Sequence, residues 1–343
     1  MPGIALVGLS VCDFVMSVDR LASPSDIIYL EGGLKLSTGG HPINIAIDLM
    51  KLGTLGTPVS VITAVGKDMC GSFIVGELSG RGVNTQYIQV VDGSETGKDF
   101  IISLKGEDRR FHVELGANRL LSPEHVINSI KSLKPEVIHI AIGALSDVDE
   151  QLSEILGVAK EQGSITFVDI GVAARPSGGW DFLYDVLKNG LVDVFHANAY
   201  EILKVFGMNS DELVLTLVRS NLRVALITEG DKGASLTTNE FTVRQPPFTV
   251  DVVDPTGAGD AFQAGFLSYL ITRYADVAKG LNSIEKDPEA ASLALAYSQA
   301  TGAACVRAPG ATEGVTKSNV EMILRSQLND ILSRTIVIKI RNQ

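Results

Sequence analysis

A glycine-containing turn at residues 254–260, which reads Asp-Pro-Thr-Gly-Ala-Gly-Asp, has residue types suited to anion binding and proton transfer. The turn follows an apolar segment and leads directly into an apolar helical pattern. Backbone N–H groups and the positive end of a helix dipole converge at such a turn, which suits an anion such as a phosphate. Because Asp260 would stand where the anion approaches, its carboxylate suits proton transfer better than anion binding. Equally, Asp254 and Asp260 can be helix caps, with the glycines serving only as turn residues.

A second glycine pair, Gly39 and Gly40, opens another helical pattern. Asn44, Asp48 and Lys51 follow at spacings of four and three residues, so their side chains form one polar stripe on the predicted helix. A solvated helix face is the plain interpretation of this stripe. The alternative is a binding role for Asn44.

Two further patterns lie where predicted strands meet the following turn or helix. Asn198 and Glu201 have the spacing of a capping box, and they are also an oxygen-donor pair that could organise a hydrated Mg²⁺. Thr228 and Gly230 begin a glycine-rich turn, which is either a plain turn or a loop whose hydroxyl and amides contact phosphate. Both alternatives stay open for both patterns.

The length, charge and cysteine content of the chain exclude several classes of protein. A chain of 343 residues, 45% of them hydrophobic, is long enough for one large α/β domain or for two domains. The net charge of −11 argues against a general attraction to nucleic acid or to an anionic membrane. The three cysteines match no disulfide or metal-binding spacing, and the N-terminus lacks the basic region of a signal peptide. We therefore expect a cytoplasmic protein.

Strand and helix patterns alternate through most of the chain. Strands are predicted at residues 4–9, 59–65, 137–142, 165–169, 192–196, 224–228 and 335–340, and helices at residues 149–161, 180–188, 211–220 and 290–306. This alternation predicts a parallel sheet covered by helices on both faces. In such folds ligands bind at the carboxyl ends of the strands, where Asp169, Asn198, Thr228 and Asp260 all fall.

Two segments depart from this alternation, at residues 13–37 and 99–114. The first has short apolar runs among scattered polar residues, and the second has two short runs around a charged connector, which is typical of a hairpin. We expect the two segments to form a small separate sheet. Residues 1–12, 38–98 and 115–343 would then form the main domain.

Several familiar motifs are absent from the sequence. It contains no G-x-x-x-x-G-K-[ST] segment, complete dinucleotide fingerprint, H-E-x-x-H motif or paired-cysteine site. The histidines are scattered, at positions 41, 112, 125, 139 and 196. His139 lies inside an apolar strand pattern, so we expect a buried core residue rather than a ligand.

Taken together, these patterns resemble the ribokinase-like, or PfkB, family of carbohydrate and nucleoside kinases. Residues 254–260 resemble the C-terminal signature of that family, and residues 39–46 resemble its N-terminal signature. Further matches follow in the order of the family, at residues 66–71, 82–84, 96–97, 116–118, 198–201 and 228–230. Each match is weak alone, but the ordered set spans nearly the whole chain and is specific.

The resemblance implies a ribokinase-like, three-layer α/β/α fold, with a mostly parallel central sheet and a small β-sheet lid formed by the two departing segments. It implies an ATP-dependent phosphotransferase that acts on an alcohol group. Asp260 would be the general base, and the amides of Gly257, Ala258 and Gly259 would stabilise the transferring γ-phosphoryl group.

The resemblance also implies the binding residues. Substrate-binding positions of the family match Asp13, Gly39, Gly40 and Asn44. The positions that organise Mg²⁺, mainly through water, match Asn198 and Glu201, and the nucleotide-phosphate positions match Asn198, Thr228, Gly230, Gly257 and Gly259. Some relatives bind a monovalent cation, so K⁺ is a candidate near residues 254–256 and 308–310. A homodimer formed through the lid is a further expectation.

Three departures from the family pattern leave the acceptor open. Pro255 stands where Thr is common, Glu229 stands where an apolar residue is common, and residues 169–176 match a sugar-kinase segment only loosely. We favour a sugar or similar polyol as acceptor, with a nucleoside as the alternative and a phosphosugar disfavoured, since only hairpin residues mark a cationic site. A binding protein that has kept the fold and lost the chemistry is the alternative of a different class.

Overall fold

The computed structural model describes residues 3–340 apart from residues 55, 105, 106, 108, 173, 176, 177 and 218–221. Its strands are β1 (Ile4–Val7), β2 (Val11–Val18), β3 (Leu34–Gly39), β4 (Val59–Ile62), β5 (Ala64–Gly66), β6 (Gln89–Val91), β7 (Gly97–Leu104), β8 (Arg110–Glu114), β9 (Val137–Ile142), β10 (Ile165–Ile170), β11 (Val194–Asn198), β12 (Val224–Thr228), β13 (Ala234–Thr237), β14 (Phe241–Gln245) and β15 (Ile336–Lys339). Its α-helices are α1 (His41–Leu52), α2 (Met69–Gly80), α3 (Pro123–Leu133), α4 (Asp147–Glu150), α5 (Leu152–Glu161), α6 (Asp181–Lys188), α7 (Ala199–Phe206), α8 (Ser210–Leu217), α9 (Ala258–Tyr274), α10 (Val277–Ile284), α11 (Pro288–Cys305) and α12 (Lys317–Ser333).

Nine of the described strands form the central sheet, in the order β4-β1-β9-β10-β11-β12-β13-β14-β15. Neighbours from β4 to β12 pair in parallel, whereas β12 to β15 pair antiparallel. Every residue of β9 and β10 is buried, because helices cover both faces of the parallel part. The prediction of a mostly parallel sheet is confirmed, and β15 is the edge strand predicted near the end of the chain.

Helices pack on the two faces of the central sheet in two separate apolar cores. On one face α1, α9, α10 and α11 bury side chains such as Leu49 and Phe266. On the other face α3, α5, α6 and α7 bury side chains such as Leu156 and Leu183. The predicted three-layer α/β/α fold is therefore confirmed, and α11 is the buried helix expected at residues 290–306.

Four of the described strands form a second sheet, in the order β3-β2-β7-β8, which we call the small sheet. β2 pairs in parallel with β7, and this register places Asp13 beside Asp99. β7 and β8 pair antiparallel, and residues 105, 106 and 108 of their predicted connector lie outside the described residues. The role of this sheet as a separate lid, with the boundaries given above, stays a prediction.

The single strand predicted at residues 59–65 is wrong, because the chain forms two strands there that belong to different sheets. β4 lies at the edge of the central sheet, and β5 pairs in parallel with β6. The break falls at Thr63, whose hydroxyl donates a hydrogen bond to Ser10 Oγ at 3.0 Å. Both halves are buried and apolar, so their hydrophobic pattern does not reveal the break.

The remaining differences from the predicted elements are small. The helix predicted at residues 149–161 is divided into α4 and α5 at Gln151, and the strand predicted at residues 192–196 begins and ends two residues later as β11. The last residues of the helix predicted at 211–220 lie outside the described residues. In the part of the chain that the structure describes, no helix is long and apolar enough to cross a membrane.

Candidate active site

The turn at the start of α9 depends on one glycine conformation. Gly257 has φ of 76°, in the left-handed region, and a Cβ there would lie 2.2 Å from the carbonyl oxygen of Ala311. Only glycine fits both conditions without strain. The helix therefore begins at Ala258, and the first-turn N–H groups of α9 point toward the end where an anion would bind.

Asp260 lies in the first turn of α9, is 5% exposed, and is held by two side chains of α1. Its Oδ1 is 2.7 Å from His41 Nδ1, and its Oδ2 accepts a hydrogen bond from Asn44 Nδ2 at 2.8 Å. His41 Nε2 lies 2.9 Å from the carbonyl oxygen of Gly171, so the imidazole bridges α9 and the end of β10. Both carboxylate oxygens of Asp260 are thus fixed in place.

His41 is held in its charged form by the carboxylates around it. Burial alone would lower the pKa of His41, but the carboxylate of Asp260, and then that of Asp169, raise this pKa to about 10. His41 is not among the predicted site residues and stands in the sequence as one of five scattered histidines. Its position directly after Gly39 and Gly40 is the signal that could have marked it.

Asp169 and His196 form a second pair of carboxylate and imidazole, which lies next to His41 at the ends of the strands. Asp169 Oδ2 lies 3.8 Å from His41 Nδ1, and Asp169 Oδ1 lies 2.6 Å from His196 Nδ1. His196 Nε2 is 3.5 Å from the hydroxyl of Thr228. Burial would raise the pKa of Asp169, but the hydrogen bond from His196 and the nearby imidazoles lower it. This pair therefore connects β10, β11 and β12 beneath the predicted phosphate loop.

Asn198 and Glu201 form a capping box at the start of α7, as their spacing predicts. Asn198 Oδ1 accepts from the Glu201 amide at 2.9 Å, and Glu201 Oε2 accepts from the Asn198 amide at 2.7 Å. Burial and the negative charge of Asp169 raise the pKa of Glu201 to about 7. The capping interpretation is confirmed. A cation bound beside Glu201 would favour the ionised form of its carboxyl group.

One cavity of about 980 Å³ brings most of the predicted residues together. Its walls include the predicted residues Asn198, Glu201, Thr228, Gly230, Gly257, Ala258, Gly259 and Asp260. His41 and His196, which were not predicted as site residues, also line it, together with Asp169, which was predicted only to lie at the ligand-binding ends of the strands. The predicted substrate-binding residues do not line this cavity. They lie on the small sheet, at the N-cap of α1 and on α1, and are Asp13, Gly39, Gly40 and Asn44.

The predicted acceptor residues adjoin Asp260 through the junction of β3 and α1. Gly40 has φ of 102°, and a Cβ there would lie 2.1 Å from the carbonyl oxygen of Leu9. A Cβ on Gly39 would lie 2.3 Å from Asp13 Oδ2, so the missing side chain makes room for that carboxylate. Burial, and then the negative charge of Asp99, raise the pKa of Asp13 to about 8. Asp13 therefore lies in a buried, negatively charged setting next to Gly39.

The solvated face predicted for α1 is wrong. Asn44 is 5% exposed and Asp48 is completely buried, because this side of α1 packs against α9 and its Asp260. Lys51, at the end of the same stripe, donates to the carbonyl oxygen of Thr312 at 2.7 Å. His139 meets the expectation of a buried core residue, with Nε2 2.7 Å from Gln263 Oε1.

The comparison with known proteins decides the family. The pfkB family carbohydrate kinase profile matches residues 1–318. The chain belongs to this family. It is 26% identical to probable fructokinase-5 of Arabidopsis thaliana over 91% of this chain and 96% of that protein, and 26% identical to the deoxyribokinase of Salmonella typhi over 78% and 85%. The solved structure of a fructokinase with bound ATP from Xylella fastidiosa has a TM-score of 0.80 and 23% identity, covering 96% of this chain and all of that one.

As a pfkB family carbohydrate kinase, the chain is a phosphotransferase with an alcohol group as acceptor. The predicted metal-binding residues, Asn198 and Glu201, both supply oxygen atoms. No group of three or more His, Cys, Asp or Glu side chains within the described ranges is arranged to hold a metal ion. Mg²⁺ keeps several waters and needs only one or two protein oxygens, so the Asn198 and Glu201 pair fits a hydrated Mg²⁺ in its donor chemistry.

The loop before the glycine-containing turn of this pfkB kinase is organised around Asp254. Its Oδ1 accepts hydrogen bonds from the amide and the hydroxyl of Thr256, at 2.9 and 2.6 Å, and its Oδ2 accepts from the Gly310 amide at 2.9 Å. Arg109, the residue before β8, lies with Nη1 2.6 Å from Asp254 Oδ1. Burial would raise the pKa of Asp254, but these hydrogen bonds and Arg109 lower it. Asp254 therefore joins the small sheet to the turn.

The segment that matches the sugar-kinase pattern loosely has a structural role at Arg175. This side chain is 3% exposed, lies over the rings of Trp180 and Phe182, and pairs with Glu150 at 2.7 Å. It therefore contacts side chains of both α4 and α6. Ala173 and Pro176 of the same segment lie outside the described residues.

The pH dependence of stability should report the ion pair between His41 and Asp260. His41 has a folded pKa of about 10, above its ordinary value of 6.5. Its contribution to stability is therefore complete below about pH 6.5 and is lost as the pH rises through about 10. We expect His41→Asn, which keeps a hydrogen-bond donor but no charge, to melt below the wild type at pH 6. This difference should shrink towards pH 10.

Thermal unfolding of the two proteins at several pH values measures this difference directly. The comparison cancels the contributions of the other titrating groups, because both proteins contain them. A difference in melting temperature that stays constant from pH 6 to pH 10 would contradict a charged His41 in the folded protein.

Proposed function

We propose that the chain is an ATP-dependent kinase that transfers the γ-phosphoryl group to a hydroxyl of a neutral sugar or polyol. The observation that carries the proposal is the position of Asp260. This buried carboxylate lies in the first turn of α9, where helix N–H groups are available to an anion, and His41 and Asn44 hold both its oxygens.

Asp260 would take the proton of the acceptor hydroxyl as the bond to phosphorus forms. A carboxylate has about four lone-pair sites, so the contacts with His41 and Asn44 leave acceptor capacity for a substrate hydroxyl. The positive charge on His41 would stabilise the negative charge that Asp260 carries before transfer. Fixed orientation and electrostatics are the main contributions that a protein makes to phosphoryl transfer.

The cavity beside Asp260 would hold the nucleotide. The amides of Gly257, Ala258 and Gly259 would face the γ-phosphoryl group, and Thr228 and Gly230 would contact the other phosphates. Asn198 and Glu201 would hold the waters of Mg²⁺, which when bound neutralises charge on the phosphates. ATP as donor is supported by the place of these residues on one wall and by the fold shared with an ATP-bound fructokinase.

The small sheet would form the wall over the acceptor. Asp13 and Asp99 are both 7% exposed and lie beside each other in register, and a pair of carboxyl groups that shares one negative charge accepts hydrogen bonds from hydroxyl groups. A hydroxyl-rich neutral acceptor supplies the donors that these groups need. A phosphorylated or carboxylated acceptor would instead meet like charge, so we favour a neutral sugar or polyol.

Acceptor-dependent formation of ADP tests the proposal. The purified chain is assayed with ATP and Mg²⁺ against a panel of sugars, polyols, nucleosides and sugar phosphates, in K⁺ and in tetramethylammonium buffers. We expect a neutral sugar or polyol to give the highest kcat/KM and EDTA to abolish turnover. Loss of turnover without K⁺ would support the cation expected near Asp254.

The outcomes of this panel separate the alternatives. Preference for a nucleoside would favour the nucleoside kinase, and preference for a sugar phosphate would contradict the reading of Asp13 and Asp99. Absence of acceptor-dependent ADP, in a folded protein that binds ATP, would contradict a kinase and favour a binding protein.

A further inference from the structure

The hydrogen bonding of Asn44 leaves one end of its amide without a partner. Its Nδ2 donates to Asp260, and its Oδ1 is buried with no hydrogen-bond partner among the described residues. A buried carbonyl oxygen without a donor has lost its hydrogen bonds to water and is unfavourable. Rotating the amide of Asn44 would place its oxygen against the Asp260 carboxylate, where two acceptors would meet. In the observed orientation, Asn44 Oδ1 therefore needs a hydrogen-bond donor.

Asp48 is the candidate for this donor. It follows Asn44 by four residues on α1, and side chains at this spacing share a helix face with Cβ atoms about 5–6 Å apart. Asp48 is completely buried, and neither of its carboxyl oxygens has a hydrogen-bond partner among the described residues. An unpaired buried carboxylate is strongly unfavourable, whereas a protonated carboxyl group can donate one hydrogen bond.

The charges around Asp48 do not compensate an ionised carboxylate. On α1 itself Lys51 is the cation that lowers the pKa of Asp48, but its ammonium donates to the Thr312 carbonyl oxygen. The facing elements contribute the carboxylates of Asp260 and Glu313, together with the buried thiol of Cys305. Burial is the largest influence and raises the pKa of Asp48 well above its ordinary value, and only Lys51 opposes it.

We propose that Asp48 is a positioning residue that stays protonated in the folded protein and donates its proton in a hydrogen bond to Asn44 Oδ1. This bond fixes the amide of Asn44 so that its Nδ2 holds Asp260. The chain Asp48–Asn44–Asp260 thereby orients the carboxylate without placing a second negative charge beside it. The catalytic consequence rests on the proposed role of Asp260 as the base, whereas the protonation of Asp48 does not.

Proton linkage tests the protonation independently of activity. An acid whose pKa is raised in the folded state contributes stability that is complete below its unfolded pKa and is lost as the pH rises toward the folded value. Asn is neutral and similar in shape to Asp, so the Asp48→Asn variant should not lose stability in this way as the pH rises. Between pH 5 and pH 7 the ratio of the unfolding constants, wild type over variant, should rise by close to tenfold per pH unit.

Chemical unfolding of both proteins at pH 5, 6 and 7 provides these constants. A ratio that does not change with pH would show that Asp48 is ionised in the folded protein and would overturn the proposal. This result would leave the role of Asp260 untouched, so failure of the inference and failure of the proposed function are distinguishable.

Kinetics test the positioning role. Asp48→Asn retains an N–H donor toward Asn44 Oδ1 and should keep kcat within about threefold of the wild type, while Asp48→Ala should lose about tenfold in kcat. The acidic limb of the kcat–pH profile should not move in Asp48→Asn. Removing a nearby negative charge would shift that limb to lower pH, so such a shift contradicts the proposal.

Two further results would overturn the positioning role. One is an Asp48→Ala variant that is folded and fully active. The other is an Asp48→Asn variant that is as impaired as Asp48→Ala. If Asp48→Ala fails to fold, the Asp48→Asn pH profile and the linkage experiment still decide the matter.

Discussion

Asp260→Asn should lower kcat by roughly 10² or more while nucleotide binding stays close to that of the wild type. The amide cannot take the proton of the acceptor hydroxyl, because its oxygen is a weak base and its nitrogen is already protonated. The loss should appear in kcat rather than in KM, since the acceptor and the nucleotide bind largely through other groups. Asp260 is buried, with 5% of its surface exposed. Because Asn is similar in size to Asp, the variant side chain fills the same space.

The matched control is Asp276→Asn, the same chemical change at the N-cap of α10. Asp276 accepts a hydrogen bond from the Lys279 amide at 2.9 Å, and Asn is an equally good cap. Coupled assays give kcat and KM, and calorimetry gives the nucleotide Kd. Near-normal turnover of folded Asp260→Asn would rule out Asp260 as the base.

Gly257→Ala should remove most activity and also destabilise the fold. A non-glycine residue in the left-handed region loses roughly 1–3 kcal/mol, and here the new Cβ would also lie 2.2 Å from the Ala311 carbonyl oxygen. The turn must shift to relieve this contact, which moves the amides away from the phosphoryl group. Loss of one such donor lowers kcat by about 10²–10³-fold.

Gly259→Ala is the control for this substitution. The nearest atom to a Cβ at Gly259 is His196 Cε1 at 3.8 Å, which is an ordinary contact, and the backbone there is helical. Alanine is favoured over glycine in helices by up to about 1 kcal/mol, so thermal unfolding should place Gly259→Ala at or above the wild type. Equal melting temperatures for the two variants would contradict the role given to Gly257.

The architecture was predictable because its signals are local. The buried strands β9 and β10 are continuous apolar runs, and the helices between the strands have their own periodicity, so the alternation reveals a parallel sheet. The break at Thr63 was not predictable, because both sides of it are equally apolar. Which sheet a short buried strand joins is decided by distant partners.

Site residues were predictable only where the residue and the element that positions it are adjacent in the sequence. Gly257 and Asp260 share a turn with the helix that positions them, so their chemistry could be read directly. His41 and Asn44 contact Asp260 across 219 and 216 residues, and nothing local to α1 shows those contacts. The polar stripe of α1 therefore resembled a solvated face, although it lies against a buried carboxylate.

The bond between Arg109 and Asp254 has a thermodynamic consequence for the two substrates. It links β8 of the small sheet to the loop that continues into Gly257, so it forms only while the hairpin lies against that loop. If an acceptor draws the predicted lid inward and a nucleotide orders the loop, both ligands favour the same arrangement. Linkage requires the effect to be mutual: bound nucleotide must tighten the acceptor by the same factor by which bound acceptor tightens the nucleotide. Equilibrium binding of either ligand, with and without the other, would record one coupling free energy.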